Sequence, residues 1–227
     1  RGATSPLVVA ALGTAPFAGG VSSLMGELAR RRQELRLRRF LVSLASAVER
    51  EGAVLDNKVD RDFLSTDEFS ATLESVLQEA ARTADEAKLE ALRRFLISSC
   101  FSVRPDVTWQ DLFLNYIRQL SGVHLVVLGE FYIVQGTLEG SDRLGGSEIP
   151  GKIPLSVSDV HTSLSTLHPT LVDVVCVDLS TLGLLVDWHV IRPTSAGVQK
   201  AYCLSDSGLL FLRFLEGGWR DVSGAPA

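Results

Sequence analysis

A chain of 227 residues with 46% hydrophobic residues has a core to bury, which excludes a disordered or fibrous protein. Lys+Arg 22 against Asp+Glu 27 gives a net charge of −5, so the molecule as a whole lacks the electrostatic footprint of a general nucleic-acid binder and any basic surface is local. Three cysteines, Cys100, Cys176 and Cys203, stand far apart without a CxxC or Cys/His cluster, so neither a disulfide framework nor a zinc site is written, and a reducing cytoplasm is the expected compartment.

From Ala3 to Gly26 the chain carries no charge, long enough to cross a hydrocarbon core of roughly 30 Å as a helix. Pro6, Gly13, Pro16, Gly19 and Gly20 break that helix and dilute its hydrophobicity. Three readings of this arm stay open: a segment packed on the fold, a membrane-contacting segment, and a self-assembly surface. The following stretch is helical in composition, with Leu24, Leu28, Leu35, Leu37, Leu41, Leu44 and Val48 at three- and four-residue spacings. Arg30, Arg31, Arg32, Arg36, Arg38 and Arg39 crowd this helix and make it the strongest local charge feature of an acidic chain. They are a solvated face with i,i+4 pairs such as Glu34–Arg38, or a contact for an acidic partner or anionic lipid.

Helix starts follow in quick order. Ser65 with Glu68 reads as a capping box, Thr83 with Glu86 as a second, and Thr108 with Asp111 as a third; the last opens a helix expected to run on through the uncharged stretch Gln119 to Gly129 as far as Val134. That helix, apolar over most of its circumference, is expected to be the centre of a bundle. Gly136 to Gly151 is the candidate linker; Lys152 is followed by Ile153 and Pro154, which rules out a phosphate-binding GK[ST] loop.

Beyond it, a Ser156/Asp159 box starts a short helix and Pro169 opens another through about Leu182. VDWHVI (186–191) and QKAYCL (199–204) form a hairpin, the only sheet expected, and Ser205 caps a last helix to Glu216. The expected fold is mainly α: an N-terminal arm over 1–26, a helical bundle over 27–136, a linker over 137–154, a winged-helix-like domain with one β-hairpin over 155–216, and a tail over 217–227.

The segment LSTLGLLVDW, with LGLL at Leu182 to Leu185, and the returning AYCLSDSGLLFLRFL, with Tyr202, Ser205, Gly208, Phe211 and Leu212, resemble the end of winged-helix domains. With the apolar N-terminus, the basic helix and the pattern Phe69, Leu73, Ala81, Arg82, Thr83, Asp85, Glu86, Lys88, the chain resembles bacterial proteins similar to the abortive-infection alpha type. That resemblance implies an association with phage defence and carries no catalytic residues across.

The four histidines, His124, His161, His168 and His189, have no Cys or carboxylate at a ligand interval, so no metal is expected; no GxSxG, HExxH or acidic cluster supports catalysis, and no cofactor is expected. The presumed recognition helix from Pro169 to Leu182 holds Asp173 and Asp178 and no Lys or Arg, and the wing offers only Arg192 and Lys200 for phosphates. The expected role is therefore a non-enzymatic protein-interaction or assembly protein, self-associating or bound to a protein partner. It would be cytoplasmic or peripheral to the inner membrane, with Val174, Val175, Leu184 and Leu185 as apolar surface that holds the bundle or a second chain. The alternative is a winged-helix nucleic-acid-binding regulator.

Overall fold

A computed structural model describes residues 30–47, 59–102, 104–140, 154–191 and 198–217. The arm over 1–26, most of the linker, Arg192 and the tail beyond Gly217 lie outside the described residues. The fold is mainly helical, with a small antiparallel sheet near the C-terminus.

The basic segment forms helix α1 over 30–47, seated on the bundle by Phe40 and Leu44, with Ala47 also buried. A one-turn helix α2 (Arg61–Leu64) leads into α3 (Asp67–Arg82) and α4 (Glu86–Ser99). These helices start where cap-forming side chains cluster, but the capping residue is not the expected one. Thr66 rather than Ser65 accepts from the Phe69 amide, and Asp85 rather than Thr83 accepts from Ala87 and Lys88. Thr83 instead closes α3 and accepts from the Asp85 amide through its hydroxyl.

Helix α5 (Val107–Gln119) is capped by Asp106, not Thr108, and does not run on to Val134. The chain bends by 119° at Leu120–Ser121, and α6 (Gly122–Gly140) sets off in a new direction. The bend has a physical cause thirty-seven residues upstream. The Asp85 carboxylate accepts from the Gly122 amide at 2.8 Å while capping α4, so one side chain satisfies the first turns of two helices. Lys88 completes the junction by donating to the Arg118 carbonyl at 2.8 Å and pairing with Glu79 at 3.1 Å. No single helix among the described residues is long and apolar enough to cross a membrane; only the bent pair of α5 and α6 has the composition.

Removing the shared carboxylate leaves orphaned amides at two helix starts. Asp85→Ala is expected to destabilise the fold by about 2 kcal/mol and Asp85→Asn by about half of that, because an amide oxygen still accepts. Urea unfolding followed by circular dichroism checks the order; an Asp85→Ala loss no larger than that of an ordinary surface residue would refute the double cap.

After the linker, β1 (Leu155–Ser156) runs straight into α7 (Val157–Ser163), where the expected Ser156/Asp159 box is formed reciprocally. Helix α8 (Pro169–Thr181) starts with proline in its first turn; then β2 (Leu185–Ile191), β3 (Val198–Leu204) and α9 (Asp206–Leu215) follow. The sheet has three strands in the order β1-β3-β2, one more than the hairpin expected, because Leu155 and Ser156 pair with Tyr202 and Ala201. A two-residue strand has too few residues to show alternation, so its sequence carries no signal of it.

One hydrophobic core runs through the whole described chain, from Phe40 to Leu215. Its centre is aromatic: Phe113 of α5 lies 5.3 Å from Phe214 and 5.6 Å from Phe211 of α9, and Phe95 of α4 meets Phe214 edge-on at 5.4 Å. The bundle and the C-terminal elements therefore share one interior.

Candidate interaction surface

The site begins with helical periodicity on α1. Phe40 and Ala47 fix the buried side, with Arg36 and Leu44 at its margins. At about 100° per residue, Leu35 and Val42 fall opposite that side and are 53% and 61% exposed. Arg31 and Arg38 lie along one flank of this pair and Arg32 and Arg39 along the other, all exposed. The outer face of α1 is thus a short apolar stripe between two rows of arginine, with Arg30 exposed at the start of the helix.

Arg36 does not belong to that face. It is half-buried, and its Nε donates to the Ala81 carbonyl at 3.0 Å, covering an open acceptor in the last turn of α3. This role is invisible to a count of arginines. Arg39 also borders a cleft of about 290 Å³ between α1 and α4. There Arg93 reaches Ser43 and pairs with Glu90, so the cleft carries both signs of charge.

At the other end of the fold, Lys200 is exposed on β3 beside an open depression lined by His161, Pro169 and Asp173; Arg192 lies outside the described residues. Of the expected pair, the described residues therefore show Lys200 alone. Of the four apolar residues expected to hold the bundle or a second chain, three pack into the core shared with the bundle and only Val174 is exposed. Val175 faces inward one position further round α8, Leu184 is buried in the turn that ends the helix, and Leu185 begins β2 inside the core.

That turn explains the LGLL motif. Gly183 at φ +74 takes the left-handed conformation, Gly183 N–H donates to the Ser180 carbonyl and Leu184 N–H to the Leu179 carbonyl, which is a Schellman stop. The motif is a helix terminator, and the remaining outer face of α8 holds Leu171, Val174 and Val177, which are 41%, 52% and 47% exposed. Asp173 and Asp178 flank this apolar row. Asp178 also receives His124 Nε2 of α6 at 3.3 Å, while Ser121 Oγ sits 2.6 Å from Nδ1 of the same ring.

No group of three His, Cys, Asp or Glu among the described residues is placed to hold a metal ion, and no buried side-chain polar atom among them lacks a partner. Burial pushes the Cys100 thiol up to about 11 and the Cys176 thiol to about 12, the latter helped by Asp173. Both therefore stay protonated and unreactive near neutrality. At pH 8 the thiolate fraction of a group titrating at 11 is roughly a thousandth, so a thiol-specific disulfide reagent is expected to leave both unmodified in the native chain and to modify them on addition of denaturant. Rapid native modification, mapped by mass spectrometry, would contradict that burial.

Comparison with protein families, with curated proteins and with solved structures finds no match.

Proposed function

We propose that this chain is a non-catalytic protein-interaction module whose working surface is the outer face of α1, and that it docks on an acidic, partly apolar protein surface. One observation carries the reading: Leu35 and Val42 stand exposed between rows of arginine on a helix whose opposite side is already anchored by Phe40 and Leu44. Exposed apolar residues rimmed by charge are the composition of a contact surface rather than of a solvated helix face.

The C-terminal elements are read as a winged-helix-like unit that α6 enters first. The order α6, β1, α7, α8, β2, β3 supports this, with a two-strand wing and a short third strand ahead of the helix pair. Its use as a DNA reader is disfavoured by the α8 surface. Groove recognition needs cations for phosphates and Arg, Lys, Asn or Gln for base edges, and α8 presents Leu171, Val174, Val177, Asp173 and Asp178. The phage-defence setting implied by the abortive-infection resemblance belongs to the same proposal; plaque counts equal with and without the gene would remove it.

The docking surface is tested by a photocrosslinking residue placed at Val42 in the full chain. Protein adducts are expected, and replacing Arg31, Arg32, Arg38 and Arg39 together with Gln should weaken the contact roughly thirty-fold, at about 0.5 kcal/mol for each exposed charge. Adducts insensitive to those arginines, or no protein adduct, overturn the reading. Vesicle flotation covers the lipid outcome: binding to anionic but not neutral vesicles, lost in the same variant, would make the partner a membrane surface.

A further inference from the structure

Two helix faces of this chain are built to the same plan with opposite charge. On α1 the apolar row runs from Leu35 to Val42, seven steps along the helix and about 10 Å at 1.5 Å per step, and is flanked by arginine on both sides. On α8 the row Leu171–Val174–Val177 covers six steps, about 9 Å, and is flanked by Asp178 on one side and Asp173 on the other. Each row is exposed, and each is carried on a helix whose other side is locked into the core by Phe40 or by Val175, Cys176 and Leu179.

From this match we infer that the partner of the α1 face is the α8 face of a second copy of the same chain. The inference rests on the interaction reading above and names its occupant. Docking one row on the other buries two apolar stripes whose lengths differ by about one residue step. It also sets Arg38 and Arg39 against carboxylates, which fixes orientation and rejects a second α1 by like-charge repulsion. Two α8 faces would likewise set Asp173 and Asp178 against their copies, so both face-to-face dimers are disfavoured and the contact is head-to-tail. A head-to-tail contact joins different patches and propagates, giving a ring where the rotation closes and a filament where it does not. The charge pairs at its rim make it sensitive to salt.

Sedimentation velocity of the full chain is the test. At 50 mM salt the sedimenting mass is expected to be at least twice the 24.6 kDa of one chain, rising with concentration, and to return to 24.6 kDa at 500 mM. The double variant Arg38→Glu, Arg39→Glu and the single variant Val174→Arg are each expected to sediment as monomers. An equimolar mixture of the two is expected to form a species of two chains and no larger, because it pairs one intact α8 face with one intact α1 face. Circular dichroism matching the parent keeps folding out of the comparison, since all three positions are on the surface. A parent that stays monomeric at 50 mM salt, a variant that assembles as the parent does, or a mixture that stays monomeric overturns the inference. If the chain is monomeric while Val42 still crosslinks a different acidic protein through the arginines, this inference fails and the interaction reading stands. If Val42 yields no protein adduct and the chain is monomeric, both fail.

Discussion

Phe113→Ala is expected to lower the unfolding free energy by about 4 kcal/mol, the cost of emptying a fully buried aromatic site. The ring is the meeting point of α5 and α9: it lies within 5.6 Å of Trp109, Phe211 and Phe214, so its loss removes stacking partners on both sides of the bundle and C-terminal elements. For a chain of this length the midpoint of thermal unfolding should fall by about 10 °C. Because one core serves both parts, the fall is expected in a single transition, seen equally by tryptophan fluorescence, which Trp109 of α5 and Trp188 of β2 report from the two parts, and by circular dichroism. Two separated transitions, with only one shifted, would show that the interior is divided after all.

Gly208→Ala is expected to cost about 3 kcal/mol, although it adds one methyl group. A Cβ at Gly208 would overlap the backbone carbonyl of Leu184, which has no rotamer with which to yield. The same carbonyl accepts from the Ser205 amide, and Ser205 Oγ both donates to the Gly183 carbonyl at 2.5 Å and accepts from the Gly208 amide, so the first turn of α9 is pinned to the turn after α8. Gly183→Ala is the matched control. It has open space around the added atom and suffers only from its positive φ, for about 1 kcal/mol. Equal losses at the two glycines, measured by chemical denaturation, would show that α9 shifts to relieve the overlap.

How far the sequence disclosed this fold depends on how local each cause is. Ser156, Pro169 and Ser205 were legible because each acts within its own turn, and the hairpin because its two runs pair with each other through a neighbouring loop. At Ser65–Thr66, Thr83–Asp85 and Asp106–Thr108 several side chains compete to cap one helix, and the winner depends on contacts the local sequence does not contain. Asp85 shows the reason most clearly: it is held by the Gly122 amide, and the same bond breaks what composition presents as one long apolar helix. The candidate surface divides in the same way. The arginine cluster on α1 was visible as composition, and so was the lack of cations on α8. The diversion of Arg36 to Ala81 and the burial of Val175, Leu184 and Leu185 are tertiary facts without a local signature.

The shared aromatic centre also constrains the order in which the molecule can be completed during synthesis. Phe95 and Phe113 are covered by Phe214, which lies about a hundred residues after Phe113 in the chain. At a ribosomal rate of roughly 5 to 20 residues per second, the bundle helices wait about 5 to 20 s with that apolar surface open before α9 emerges to close it. A nascent chain in this interval offers chaperones an aromatic patch that the finished protein never displays, and a message truncated within α9 would leave that patch permanently exposed.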